Sequence, residues 1–170
     1  KGGGKFPGGE WFAWWQQPEK LGAPWTRHLL AKGQVGATNI QPVDLNNDGI
    51  LDFAATRGHG KGVLWFQGPD FKLIEIDPDI EGPHCLALAD MDQDNDVDIV
   101  TCGHTTTGLA VWYENNGAGK FLRHLVGTNQ SSYDVRTVDM DADGDLDILI
   151  AGHFSNNLLW YENPLDPQPR

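Results

Sequence analysis

One nine-residue acidic segment occurs three times, and the same features follow every copy in the same order. The copies are DLNNDGILD (44–52), DMDQDNDVD (90–98) and DMDADGDLD (139–147), with starts 46 and 49 residues apart. Each leads into a short apolar run that closes on Gly-His: FAATRGH at His59, IVTCGH at His104 and ILIAGH at His153. An aromatic run follows: VLWFQGP (63–69), VWYENN (111–116) and LLWYENP (158–164). A fourth aromatic copy, AWWQQP (13–18), lies upstream with no acidic segment before it. A last line, WTRHLL (25–30), FKLIEI (71–76) and FLRHLV (121–126), recurs between units. A chain with this order of parts folds as an array of similar units.

Each unit holds short apolar or alternating runs bounded by Gly, Asn, Asp or Pro, the pattern of strands. No stretch keeps a helical apolar period for three turns. Strand position A is expected at 38–44, 84–90 and 133–139, and position B at 52–57, 98–103 and 147–151. Position C is expected at 11–15, 63–66, 109–114 and 158–162, and position D at 25–30, 71–76 and 121–126. Four antiparallel strands per unit of this length describe a propeller blade. The expected fold is therefore all-β: 13 strands forming an arc of about three to four blades cut from a propeller of about seven. Residues 11–164 make up the blades, 1–10 a flexible leading segment and 165–170 a tail. The arc has half-blades at both ends, so further blades or partner chains are expected to complete it and cover the strand edges.

The acidic segment joins A to B. Carboxylates this close repel unless a cation lies among them. Positions 1, 3 and 5 carry side-chain oxygens, and position 9 is Asp in every copy. Position 6 is Gly49, Asn95 or Gly144, residues that tolerate the left-handed turn a wrapped ion requires. A helix–loop–helix calcium site would want Glu at position 12, where Ala55, Thr101 and Ile150 stand inside a strand. What remains is a strand–loop–strand site closed by the ninth residue. Oxygen donors and flexible geometry favour Ca2+ over zinc or magnesium. Thirteen of the 24 acidic residues lie in these loops, and three Ca2+ would halve the formal charge of -12. That charge, without any basic patch, excludes a nucleic-acid partner. No run of 18 apolar residues offers a membrane span.

The loop D-x-[DN]-x-[DN]-[GN]-x-x-D between apolar strands resembles the FG-GAP/VCBS repeat family, the calcium-loop blades of integrin alpha chains and of many secreted proteins. The resemblance implies Ca2+ ligands at Asp44, Asn46, Asp48, the Ile50 carbonyl and Asp52. In the second copy it implies Asp90, Asp92, Asp94, the Asp96 carbonyl and Asp98. In the third it implies Asp139, Asp141, Asp143, the Asp145 carbonyl and Asp147. Abundant extracellular calcium matches structural, oxygen-rich sites of this kind, so an extracellular or periplasmic location is expected. The family spans adhesion receptors, lectins and propeller-bearing lyases and dehydratases, so it leaves the activity open.

The Gly-His turns join B to C, at the end of the blade away from the acidic loops. His84 and Tyr133 start strand A at that same end. His59, His84, His104, Tyr133 and His153 therefore form the expected ligand face, suited to carbohydrate or protein, to a transition metal, or to proton abstraction. The competing reading is a repeated turn whose rings pack between blades. Three function classes follow: a calcium-stabilised binding module, a polysaccharide lyase or sugar dehydratase, and a scaffold whose active part lies elsewhere. Trp14, Trp65, Trp112 and Trp160 share one register and read as packing between blades. Cys85 and Cys102 stand opposite each other in one hairpin, as a disulfide or as two thiols. Asn129-Gln130-Ser131 is a glycosylation sequon.

Overall fold

The computed structural model describes residues 10–164. The expected leading segment and tail lie almost wholly outside them. Thirteen strands are present among the described residues, in four antiparallel sheets. The first sheet pairs β1 (Trp11–Gln16) with β2 (Thr26–Lys32). The second runs β3 (Asn39–Val43), β4 (Asp52–Thr56), β5 (Lys61–Gln67) and β6 (Lys72–Glu81), each hydrogen-bonded to the next. The third repeats that order with β7 (Pro83–Ala89), β8 (Asp98–Gly103), β9 (Ala110–Asn115) and β10 (Phe121–Gly127). The fourth holds β11 (Ser132–Val138), β12 (Asp147–Gly152) and β13 (Leu158–Tyr161). The arrangement is a partial propeller: two complete blades between a C–D pair and an A–B–C set.

Strand positions explain the sequence patterns. B strands are central and covered on both faces, so every residue of β4 and β8 is buried and their sequences run apolar without alternation. D strands lie on the outer edge, and no residue of β10 is fully buried. Pro78 is tolerated in β6, and Pro42 in β3, because each strand has one side free of the ladder. The one sizeable departure from expectation is β6, which runs to Glu81 rather than stopping at Ile76. Its pairing with β5 shifts register between Lys61 and Leu64, where Gly62 has φ +111° and lets the strand bulge and continue.

The sheets stack face to face, and each interface has its own core. Phe12 of the first sheet packs against Phe53, Ala55, Leu64 and Phe66 of the second. Val63, Trp65 and Ile80 of the second meet Leu86, Ile99, Val111 and Tyr113 of the third. Cys85, Val100 and Ala110 of the third meet Val135, Ile148 and Ile150 of the fourth. Each fully buried aliphatic side chain here is worth about 1.5–3 kcal/mol relative to exposure. At the second interface Asp77 receives the Tyr113 hydroxyl at 2.7 Å and Arg123 Nε at 3.1 Å. Burial raises the Asp77 pKa, but Tyr113, two backbone N–H groups and Arg123 outweigh it and hold the carboxyl below its usual range.

Two ends of each blade follow from this topology. A–B loops gather at one end, while B–C loops and D–A connections gather at the other. Cys85 and Cys102 are register partners in β7 and β8, with buried free thiols 3.6 Å apart.

Candidate functional site

At the A–B end the three loops share one backbone path. Position 6 has positive φ in every copy, at Gly49, Asn95 and Gly144. Asn95 thus adopts the conformation that glycine holds in the other two. Position 4 does the same at Asn47, Gln93 and Ala142. The first aspartate ties the turn by accepting N–H bonds from within it: Asp44 from Asp48 and Gly49, Asp90 from Asp94 and Asn95, Asp139 from Ala142 and Gly144. Position 5 accepts the N–H of position 7, as Asp48 from Ile50, Asp94 from Asp96 and Asp143 from Asp145.

Two groups of carboxylates converge. Asp90, Asp92 and Asp98 each bring one oxygen within 4.8 Å of the others, as do Asp139, Asp141 and Asp147. These clusters could hold a metal ion. Asp94 and Asp143 stand outside the converging groups, and the first loop has the amide of Asn46 where the others have a third carboxylate. Orphaned buried oxygens mark two of the loops: Asn46 Oδ1 in the first, and both carboxylate oxygens of Asp145 in the third. Such atoms are costly without a donor or cation, so the residues present fit Ca2+. Burial, then the neighbouring Asp143, Asp147 and Asp141, pushes the Asp145 pKa up to about 6. Burial also raises Asp92, with Asp94 adding to it.

The ninth aspartate has a second task that spacing alone does not reveal. Asp52 accepts from Leu45 N–H, from the Trp65 indole N–H at 2.8 Å and from Gly68 N–H at 2.6 Å. Asp98 repeats the set with Met91, Trp112 at 3.0 Å and Asn115 at 2.8 Å. Asp147 takes Met140 and Asn163. These carboxylates are buried and bind the loop to the aromatic strand. Burial pushes the Asp98 pKa up to about 6 in spite of its three donors. Trp65 and Trp112 therefore serve as donors as well as packing, whereas Trp14 Nε1 is buried without a partner. Trp65 is buried and meets Phe121 of the next blade edge to face, whereas Trp160 is 45% exposed.

Adjacent loops are joined. Asn115 Nδ2 donates to Leu45 O in the preceding blade and to Val97 O in its own. Asn163 does likewise with Met91 O and Leu146 O. Asn47 donates to Asp96, and Gln93 to Gly144 O, across the same gaps. Sequence reasoning missed these links. The signal was the Glu-Asn pair at 114–115 and 162–163, replaced by Gln67-Gly68 in the first complete blade, whose preceding β1–β2 sheet carries no acidic loop among the described residues.

At the other end the five expected side chains meet. His59, His84 and His104 form a triangle with ring centres 5.0, 5.3 and 5.5 Å apart. Tyr133 lies 4.2 Å from His84, 5.4 Å from His104 and 4.4 Å from His153, which touches Phe154. His59 and His153 are exposed; the other three are half-buried. His104 Nδ1 lies 3.1 Å from Gly82 O, the D–A connection of its own blade's first strand. Burial, then the neighbouring His59 and His104, lowers the His84 pKa. Arg57, in the B–C turn, pairs with Glu75 and Gln34. Arg136 pairs with Asp134. In the sequon, Asn129 is exposed while Gln130 and Ser131 are buried.

Strand order, blade packing and acidic A–B loops define a repeat protein of the propeller class. The FG-GAP-like repeat family profile matches residues 44–101 and 90–150, most of the chain. The chain belongs to the FG-GAP-like repeat family. No curated protein matches it. No helix among the described residues is long and apolar enough to cross a membrane.

Proposed function

We propose that this chain is a calcium-stabilised propeller module that binds carbohydrate or protein through the face opposite its acidic loops. The observation that carries the reading is the unbroken run of ring contacts from His59 through His84, His104 and Tyr133 to His153. Repeat consensus alone would give each blade the same residue at the start of strand A. That position is instead Thr38, His84 and Tyr133. Variation on a fixed framework is how loops acquire a particular ligand. Ca2+ acts at the other end as a clasp, held by Asp44, Asn46, Asp48, the Ile50 carbonyl and Asp52 and by their counterparts in the other loops. Abundant calcium outside the cell suits such sites, and a secreted or periplasmic location follows. Further blades or partner chains would pair the open edges of β1 and β13.

A glycan array that includes acidic sugars, run with and without Ca2+, tests the proposal. Binding should be lost in His104→Ala while the melting temperature holds. Binding that persists in His104→Ala and in His84→Ala would refute the assigned face. Tyr133 wedged between His84 and His153 favours a second reading, a lyase or dehydratase with these rings as acid and base. Release of unsaturated sugar, read by ultraviolet absorbance, would select it.

A further inference from the structure

The triangle of His59, His84 and His104 is built from three separate elements: the B–C turn of one blade, and the first strand and B–C turn of the next. Three imidazoles brought together by packing across a blade interface are unusual company. Nothing acidic is hydrogen-bonded to any of the three rings among the described residues. His59 and His84 make no ring hydrogen bond there at all.

The spacing fits a shared ion. With a Zn–N bond of about 2.05 Å and a nitrogen roughly 1.15 Å from its ring centre, two imidazoles on a tetrahedral ion have centres about 5.2 Å apart. The three observed separations are 5.0, 5.3 and 5.5 Å. Edge-to-face packing of rings gives similar distances, so spacing alone decides nothing. The second observation is the tautomer of His104. Its Nδ1 faces the Gly82 carbonyl at 3.1 Å, and a carbonyl can only accept. Nδ1 must therefore carry the proton, leaving the Nε2 lone pair free. A backbone carbonyl holding the far N–H is the usual outer support of a metal-ligating histidine. The rings meet at 68–88°, and their nitrogens do not all converge as they stand. Convergence requires the His59 and His84 side chains to turn while His104 keeps Nδ1 on the Gly82 carbonyl; His59 is exposed.

The geometry points to an inter-blade site for one divalent transition-metal ion of borderline softness, Zn2+ being the reference case, held by His59, His84 and His104. Three neutral nitrogens suit such an ion and disfavour Ca2+, which takes oxygens. A fourth position stays open for water or for an oxygen of a bound ligand. His153 is separated from the triangle by Tyr133 and takes no part. The inference rests on reading this end as the ligand face, and gives that face its chemistry.

The test uses the untagged 170-residue chain in saturating Ca2+. Calorimetric titration with Zn2+ should reveal one site, and Co2+ at the same site should develop the visible absorption of tetrahedral coordination and lose it to Zn2+. His59→Ala, an exposed substitution that leaves the core intact, should weaken Zn2+ at least about tenfold, as should His84→Ala. His153→Ala and Asp141→Asn should leave Zn2+ affinity unchanged. Zn2+ binding that ignores both triangle substitutions, or that only displaces Ca2+, would overturn the inference. Glycan binding that survives phenanthroline in a chain with no Zn2+ site would also overturn it while preserving the ligand face. A Zn2+ site in a chain that binds no glycan or protein would uphold the metal and refute the binding module.

Discussion

The two ends of each blade obey different rules. At the acidic end, three loops of differing sequence converge on one set of bonds: the first aspartate ties the turn, the fifth position takes the seventh N–H, and the buried ninth carboxylate grips the following strand. Asn95 even copies a glycine conformation. At the histidine end the turns repeat but their contacts do not. His59 touches two imidazoles, His104 touches two imidazoles and a phenol, and His153 touches a phenol and a phenyl ring. The loops agree where the backbone is fixed and differ where rings are presented.

The sharpest way to break that contrast is Asp98→Ala. It strips partners from Met91 N–H, Asn115 N–H and the Trp112 indole at once, in a buried setting. The expected cost is about 3–5 kcal/mol by urea denaturation; a loss near zero would make the ninth aspartate an ion ligand only. Next comes removal of Ca2+. A site at a hundredfold excess of ion over its Kd contributes about 2.7 kcal/mol, so chelation should lower the melting temperature clearly. Asp141→Asn should remove one site from a calorimetric titration that otherwise shows up to three.

A smaller effect concerns pH. Asp98 and Asp145 are both pushed up to about 6 in the folded chain, above the usual unfolded value of about 3.9. The folded state then binds more protons than the unfolded state between those values, so stability should fall as pH rises from about 4 to 6. Saturating Ca2+ should abolish the slope, because the ion takes over the role of the proton. Denaturation midpoints measured across that range in chelator and in Ca2+ decide it; a rise with pH in chelator would contradict the assignment. The smallest effect belongs to His153→Ala, an exposed ring at the variable end, which should change stability by less than about 0.5 kcal/mol. A larger loss would mean that the histidine end is framework too.

Much of this was legible in the chain itself, because repetition multiplies weak signals. A single acidic turn is ambiguous, but three in register with three other recurring features specify a blade, and all 13 strands fall where the repeats place them. The meeting of His59, His84, His104, Tyr133 and His153 was legible for the same reason, since strand order alone sends B–C turns and strand A starts to one end. What escaped were bonds between non-neighbours in sequence. The Trp65–Asp52 and Trp112–Asp98 pairs join two consensus positions whose link no spacing rule shows. Asp77, Tyr113 and Arg123 come from two blades and one register bulge intervenes, so their cluster depends on how sheets stack.

The amides of Asn115 and Asn163 carry a last consequence. Each holds a carbonyl of one acidic loop and a carbonyl of the next with a single side chain. Thermodynamically the array is then a row of two-state units with nearest-neighbour coupling. If the loops take ions as proposed, filling one should stiffen its successor, so occupancy should spread outward from the tightest site, with a titration steeper than independent sites allow. Asn115→Ala should flatten that curve between the first two loops and leave the coupling through Asn163 intact. In such a row damage has a short range: a fault in one blade weakens its immediate neighbours and fades beyond them.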